Sequence, residues 1–284
     1  SIGLGLNTAT YALSYQYARV AIDLALARGG DQAVIKDCNG ITYFGGKKEQ
    51  TAKNTRVKAR VKAEALREFI TVKDKIFVMG HKLTDVDAFG AAMGIYRAAL
   101  ALEKRAYIVI NEVSASLRPL YELFEQDPNY PDDLFLTSSQ AMNMADENSM
   151  VVVVDTNRPM MTECEELLKT TKTIVVLDHH RTSSEVIDNA VLSYVEPYAS
   201  SASELVTEMV EYQQPAEDNR VLTNLEATAM LAGITVDTKE FSLRTGTRTF
   251  DAASYLRSIG ADSSVVSELL KEDISSFLVK SHLV

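Results

Sequence analysis

The amino-acid sequence predicts an α/β protein with a doubly wound, mostly parallel sheet flanked by helices. Two observations carry this prediction. From residue 75 onward, strand-like and helix-like segments alternate along the chain, which is the pattern of folds built on a parallel sheet. Several strand-like runs are apolar almost throughout, among them KIFVM (75–79), MVVVV (150–154) and IVVL (174–177). Such runs are expected of strands that are buried on both faces of the sheet.

The chain is expected to have three parts. Residues 1–46 contain a strand-like SIGLGL, a helical SYQYARVAIDLALA with the stop signal RGGD, and a strand-like QAVIKD, which together make only a small α/β fragment. Residues 47–72 predict a basic linker helix, whose cationic residues are Lys47, Lys48, Lys53, Arg56, Lys58, Arg60 and Lys62. A solvated connecting helix is favoured here over a patch for nucleic acid or phosphate. Residues 73–284 form the main domain.

Within the main domain, the order of elements follows from hydrophobic spacing. We predict a helix over 86–103, a second strand at RAYIVI (105–110) and a helix in SASLRPLYELFEQ that is opened by Ser114. Residues 201–214 and 219–235 have helical spacing, and the chain after 248 is mostly helical. A doubly wound sheet places its ligand site outside the carboxyl ends of the strands.

Composition restricts the kind of protein. The chain has 284 residues, 46% of them hydrophobic and 24% charged, with a formal net charge of −10. These values are those of a globular protein, and the acidic balance argues against long nucleic acid as a partner. The sequence contains neither a membrane-spanning apolar run nor an export signal, so we expect no membrane contact. Cys38 and Cys164 match no metal-binding or disulfide spacing, which predicts free thiols in a reducing compartment.

Histidines and aspartates follow the predicted strands. His81, Asp85 and Asp87 come after the first strand, Asp155 after VVVV, and Asp178, His179 and His180 after IVVL, while Asp237 ends a helical run. An aspartate after a strand is, taken singly, more often a helix cap or turn residue. However, the sheet topology brings four chain segments to one edge, and three of the four histidines lie there. A shared site is therefore expected.

Carboxylates gathered in this way repel one another. At about 4 Å and an effective dielectric constant near 20, each pair costs roughly 4 kcal/mol, so an empty cluster is unfavourable at neutral pH. Two divalent cations would neutralise four such charges. Oxygen-rich sites with one or two imidazoles suit Mn²⁺, with Mg²⁺ or Co²⁺ as alternatives. A pair of cations about 3.5–4 Å apart can hold a bridging hydroxide and clamp phosphoryl oxygens, so we infer metal-assisted phosphoester hydrolysis.

Four segments together resemble the signature motifs of DHH-type phosphoesterases: GHKLTDVDAFGAAMGI, VVVVDTNRP, VVLDHHR and GITVDTKEF. The first 63 residues discriminate further within that superfamily. There, VAIDLALARGGDQAVIK and TYFGGKKEQTAKNTRVKARVKA resemble the end of a degenerate GGDEF domain and its basic linker. That combination is similar to the GdpP (YybT) type of membrane-anchored cyclic di-AMP phosphodiesterase in bacteria.

The resemblance implies a role for each motif residue. His81 and Asp85 would bind the first metal, Asp155 would bridge, and Asp87, His179 and Asp237 would bind the second. His180 would face the substrate and stabilise charge on the phosphoryl oxygens, while Asp178 orients an imidazole. The implied reaction is attack on one phosphodiester of cyclic di-AMP, releasing linear pApA by a two-metal mechanism.

The resemblance also implies a cellular setting. The parent protein would be anchored to the bacterial cell membrane, with this region on the cytoplasmic side, and a homodimer is left open. The chain stops at LVKSHLV, where the family would continue into a DHH-associated subdomain that closes over the nucleotide. We therefore expect a completely encoded metal site and only part of the adenine-binding surface.

Several alternatives stay open at this point. Gly90 and Gly94 are interpreted as helix–sheet packing sites rather than phosphate cradles, and SSASE (200–204) as a helix cap rather than a nucleophile. Arg158 and Arg181 could contact phosphate or form plain salt bridges. The runner-up functions are a DHH-type exonuclease or short-oligonucleotide (pApA) hydrolase, and a nucleotide-sensing module without turnover.

Overall fold

The structure of the chain is a computed structural model that describes residues 1–27, 32–38, 40–45, 48–181, 185–212 and 222–269. The predicted stop signal RGGD (28–31), Lys47 and the chain end LVKSHLV (278–284) lie outside the described residues. The chain divides into two compact units, Ser1–Val57 and Lys58–Val284. Each unit is described by itself.

The first unit is a small three-stranded sheet with one helix. Its elements are β1 (Ile2–Gly5), α1 (Tyr11–Ala27), β2 (Gln32–Asp37) and β3 (Gly40–Gly45). β2 pairs in parallel with β1 and antiparallel with β3; β3 was not among the predicted strands. A small core of Ala21, Ala25 and Val34 joins helix and sheet. The assignment of this unit to a degenerate GGDEF-like domain stays a prediction.

Most of the predicted linker (47–72) forms one continuous helix, α2 (Lys48–Thr71). In its second half, Ala63, Leu66 and Ile70 recur at helical spacing and are buried in the core of the larger unit. The compact unit thus begins at Lys58, earlier than the residue 73 expected from sequence. This apolar stripe was not recognised in the sequence as part of the core, because many cationic residues lie in the same segment.

The larger unit contains a six-stranded sheet in which every pairing is parallel. The strands are β4 (Lys75–Met79), β5 (Arg105–Val109), β6 (Phe135–Leu136), β7 (Ser149–Val154), β8 (Ile174–Asp178) and β9 (Leu192–Val195). Their order across the sheet is β6-β5-β4-β7-β8-β9. The predicted parallel α/β fold is confirmed.

Helices cover both faces of this sheet. They are α3 (Val86–Leu100), α4 (Arg118–Glu125), α5 (Ser138–Met144), α6 (Ala202–Tyr212), α7 (Asn224–Asp237), α8 (Thr247–Ile259) and α9 (Ser263–Leu269). Along β4, Ile76 and Val78 belong to the core that includes α3, α6 and α7. Phe77 and Met79 alternate with them into a second core on the opposite face. Burial on both faces explains why these strands lack the alternation of polar and apolar residues.

Some predicted boundaries were wrong. The helix expected to open at Ser114 begins at Arg118. Ser114 instead forms a turn before the helix: its Oγ accepts a hydrogen bond from Leu117 N at 3.3 Å, and its carbonyl oxygen accepts one from Arg118 N at 2.9 Å. β6, α5 and β9 were not predicted, because segments of two to seven residues carry too little periodicity.

Both cysteines are free, with Cys38 exposed and Cys164 buried, as predicted. In the described parts of the chain, no helix combines the length and the apolar character needed to cross a membrane.

Candidate metal centre

The centre lies where the order of strands reverses. β4 and β7 are neighbours, but the chain continues from them toward opposite edges of the sheet, which opens a crevice at their carboxyl ends. His81 follows β4 and Asp155 follows β7 directly. β8, the next strand, ends at Asp178, and Asp155 N donates a hydrogen bond to Leu177 O at 2.9 Å. Strand order alone therefore brings three of the four predicted segments together.

The first group consists of His81, Asp85 and Asp155, whose ligand atoms lie within 4.8 Å of one another. His81 Nε2 is 3.6 Å from Asp85 Oδ2 and 3.5 Å from Asp155 Oδ2. Asp85 has a second task, because its Oδ1 accepts hydrogen bonds from Asp87 N and Ala88 N and so caps α3. The cap fixes this carboxylate with its other oxygen facing His81.

The second group consists of Asp87, His179 and Asp237. His179 Nε2 lies 3.9 Å from Asp87 Oδ2 and 3.4 Å from Asp237 Oδ2. Asp87 belongs to the first turn of α3, and Asp237 is the last residue of α7. These two carboxylates are thus supplied by two packed helices, whereas His179 follows a strand. The sequence-predicted residues of both groups are all brought to one edge.

Asp155 stands between the two groups. Its Oδ2 faces His81, and its Oδ1 lies 3.1 Å from His179 Nε2 and 3.5 Å from His180 Nδ1. Its backbone has a φ of +59°, in the left-handed region that aspartate and asparagine tolerate better than most residues. One carboxylate therefore presents an oxygen to each group.

Among the ligand atoms of the two groups, Asp155 Oδ1 and His179 Nε2 are buried and have no hydrogen-bond partner among the described residues. They are only 3.1 Å apart, but their geometry is not that of a hydrogen bond. Buried polar atoms are normally satisfied, and an orphaned carboxylate oxygen beside an orphaned imidazole nitrogen is a donor set for a cation. The residues thus fit a site for divalent metal.

Without cations, protons offset the crowded negative charge. The carboxylates of Asp155 and Asp85 raise the pKa of His81 to about 10. Burial opposes protonation of His179, but the surrounding carboxylates outweigh it and raise its pKa to about 9. Burial and repulsion from neighbouring carboxylates raise the pKa of Asp237 to about 6, and that of Asp87 lies well above its usual range. Carboxylates this close to one another are stabilised by a compensating positive charge.

His180 is oriented by a short chain of hydrogen bonds. Its Nδ1 lies 2.9 Å from Asp178 Oδ1, and its backbone N donates to the same oxygen at 3.1 Å. Asn157 Nδ2 donates to Asp178 Oδ2 at 2.5 Å. The His180 side chain is 57% exposed, so the ring is fixed at one nitrogen while Nε2 stays available to a substrate. Sequence reasoning missed Asn157, although its position two residues after Asp155 was a usable signal.

The sequence left open the roles of the SSASE segment, of two glycines and of two arginines. Ser201 Oγ accepts a hydrogen bond from Glu204 N at 3.0 Å, so the SSASE segment does cap a helix. Gly90 and Gly94 are packing sites, but they contact α6 and α7 rather than the sheet. Arg158 and Arg181 are exposed, and neither forms an ion pair with another described residue. The salt-bridge interpretation of these arginines is therefore not supported.

Glu163 holds the loop of the first group and was also missed by sequence reasoning. Its Oε1 accepts hydrogen bonds from Asn111 N at 2.9 Å and Asn111 Nδ2 at 2.7 Å, and its Oε2 accepts one from Thr84 Oγ1 at 3.3 Å. Its backbone N donates to Gly80 O at 3.0 Å. This buried carboxylate ties the loops after β4 and β5 together. No spacing in the sequence marks it.

Replacing Glu163 with alanine is expected to destabilise the chain. The substitution removes the carboxylate that accepts from the part-buried Asn111 N, and losing such an acceptor costs about 1–3 kcal/mol. Thr84 Oγ1 keeps His81 O as an acceptor, and Asn111 Nδ2 keeps Ser138 Oγ. Glu163→Gln keeps one acceptor oxygen and should cost less. Urea denaturation followed by circular dichroism measures both, with the exposed neighbour Glu166→Ala as a control that should stay within about 0.5 kcal/mol of the parent. Equal stability of Glu163→Ala and the control would contradict this role.

The chain is similar to known proteins over its whole length. Residues 75–234 match the sequence model described as the DHH family, N-terminal domain. The chain is 46% identical over 287 residues to the cyclic-di-AMP phosphodiesterase PdeA of Listeria monocytogenes, a match that covers 100% of this chain and 43% of that protein. It is 45% identical over 292 residues to the cyclic-di-AMP phosphodiesterase GdpP of Geobacillus thermodenitrificans, with the same two coverages.

The chain therefore spans less than half the length of these two relatives. A crystal structure of an exopolyphosphatase-related protein from Bacteroides fragilis superimposes with a TM-score of 0.64 and 19% identity. That match covers 78% of this chain and 64% of the other. At this identity, the likeness concerns the fold alone.

Proposed function

Since this chain belongs to the DHH family, we propose that it carries the catalytic centre of a metal-dependent phosphodiesterase that hydrolyses cyclic di-AMP to linear pApA. One observation carries the proposal: the buried carboxylate of Asp155 presents Oδ2 to His81 of the first group and Oδ1 to His179 of the second. The names of the two relatives supply the substrate. The parent protein's place at the cytoplasmic side of a membrane belongs to the same proposal.

The ligand assignment follows the two groups. His81 and Asp85 would hold one cation, Asp87, His179 and Asp237 the other, and Asp155 would contribute one oxygen to each. Oxygen and imidazole ligands without a thiolate favour Mn²⁺, with Mg²⁺ or Co²⁺ as alternatives. Such cations, when bound, make a water molecule nucleophilic at neutral pH and neutralise charge on phosphoryl oxygens.

The chain's own residues prepare the site for a phosphodiester. Burial of Asp155 and His179 keeps their lone pairs away from bulk water. His180, fixed through Nδ1 by Asp178, presents Nε2 for a hydrogen bond to a phosphoryl oxygen or to the leaving oxygen. Arg158 and Arg181 are exposed and unpaired among the described residues, so their guanidinium groups are available to phosphate.

A substrate panel tests this function. The chain is loaded with Mn²⁺ and incubated separately with cyclic di-AMP, cyclic di-GMP, pApA and pyrophosphate, and the products are separated by chromatography. We expect loss of cyclic di-AMP matched by an equal amount of pApA, at a higher kcat/KM than for the other three. Faster hydrolysis of pApA would instead identify a short-oligonucleotide hydrolase. Binding of cyclic di-AMP without turnover would identify a sensing module.

A further inference from the structure

The carboxylate of Asp87 lies at the first turn of α6. Ala202 N donates a hydrogen bond to Asp87 Oδ2 at 2.7 Å, and Ser203 N donates one to Asp87 Oδ1 at 2.9 Å. Asp87 is fully buried, and a helix N-terminus favours negative charge. Each carboxylate oxygen keeps a further lone pair. The helix therefore fixes the orientation of this carboxylate while leaving it able to bind a cation.

Ser203 also fills the space between α3 and α7. Its Oγ donates a hydrogen bond to the backbone oxygen of Asp87 at 3.1 Å. A Cβ atom added at Gly90 on α3 would lie 2.8 Å from this Oγ, and one added at Gly233 on α7 would also meet it. Two glycines thus allow three helices to close around one serine hydroxyl.

Gly233 is in contact with Asp87 itself. An added Cβ atom there would lie 2.9 Å from both Asp87 Cα and Asp87 Oδ1, closer than side chains pack in proteins. Gly233 lies four residues before Asp237 on the same face of α7. In a Gly233→Ala variant, α7 would have to shift to relieve this close contact. Because a helix moves as a stiff unit, the shift would also move Asp237 relative to Asp87.

We propose that Ser203 and Gly233 are positioning residues for the second group and set the distance between its two carboxylates. The first group has support of its own, because Glu163 holds its loop through hydrogen bonds with Thr84 Oγ1 and Gly80 O. Asp85 of that group is held by backbone N–H groups at the start of α3. This inference rests on the proposed function, since it presupposes that each group binds one cation.

The test is the number of Mn²⁺ ions bound by the purified chain, measured by isothermal titration calorimetry and by electron paramagnetic resonance. Gly233→Ala should bind one ion as the parent does and the other roughly 10- to 100-fold more weakly, the usual effect of disturbing the support of a ligand. The remaining ion should give the spectrum of isolated Mn²⁺, as in Asp237→Ala, which removes a carboxylate of the same group.

Gly246→Ala is the control for the chemical change. A Cβ atom added at Gly246, the residue before α8, would meet no other atom within 4 Å. Its backbone is extended, with a φ of −136°, so alanine fits there. We expect this variant to bind both ions as tightly as the parent.

Ser203→Ala covers the case in which Gly233→Ala does not fold. It adds no bulk and removes the hydrogen bond from Ser203 Oγ to the backbone oxygen of Asp87, while the backbone N–H of residue 203 still donates to the Asp87 carboxylate. We expect it to weaken binding of the same ion by about tenfold. Unchanged binding of both ions by Ser203→Ala, or by folded Gly233→Ala, would overturn this inference and leave the proposed function intact. Equal loss of affinity for both ions in either variant would also overturn this inference. A parent chain that binds fewer than two ions would overturn the proposed function too.

Discussion

Asp155→Asn is expected to lose binding of both cations and nearly all phosphodiesterase activity. Among the described residues, Asp155 is the only one whose carboxylate faces both groups, so after its substitution neither group keeps its full charge. Cation catalysis supplies several kcal/mol of transition-state stabilisation, and each 1.36 kcal/mol corresponds to about a tenfold change in rate. We therefore expect kcat to fall by roughly a thousandfold or more. Turnover of cyclic di-AMP and metal content of the purified variant are the two measurements.

Asparagine is the better replacement at this position because the backbone is left-handed. Asparagine tolerates that conformation, whereas alanine pays a cost of roughly 1 kcal/mol. Asp155→Ala should lose the same function and also be less stable than Asp155→Asn by about that amount in thermal or urea denaturation. Near-normal turnover by either variant would remove Asp155 from its bridging role.

His180→Ala is expected to separate catalysis from metal binding. The proposed role of this side chain is to contact the phosphodiester, so its loss should lower kcat by roughly 10²- to 10⁴-fold. Both cations should still bind, because the two groups keep all their ligands. Steady-state kinetics with cyclic di-AMP and metal analysis of the same preparation measure the two effects.

The alternative role for His180 is that of a ligand, since its Nδ1 lies 3.5 Å from Asp155 Oδ1. A His180→Ala variant that loses one cation would support that alternative and contradict ours. Asp178→Asn is the matching variant. It removes the charge that fixes the imidazole through Nδ1 and should lower kcat less than His180→Ala, with the metal content unchanged.

Much of the fold could be predicted because buried parallel strands have a strong local signature. β4, β7 and β8 are runs of apolar, mostly β-branched residues, and the site residues follow them directly. The large sequence separation between these strands did not prevent the prediction of a shared site, because the carboxyl ends of parallel strands lie at one edge of the sheet. β6 and β9 escaped prediction because they are short strands at the two edges of the sheet.

The parts of the site supplied by helices were less accessible. Asp237 ends a helix, so strand topology does not place it; the sequence offered it as a further candidate, and the resemblance to a known motif gave it a metal-binding role. The support of Asp87 comes from the backbone N–H groups of Ala202 and Ser203, which any residue except proline could supply. Side-chain patterns cannot reveal such contacts. The same holds for Glu163, whose partners lie 52 and 79 residues away.

The most direct test of the account is anomalous X-ray scattering from crystals of the chain grown with Mn²⁺. We predict two peaks at the manganese absorption edge, one on each side of the Asp155 carboxylate, the first beside His81 and the second beside His179. A single peak, or peaks that do not contact Asp155, would contradict the claim that this cluster of acids exists to hold a pair of cations.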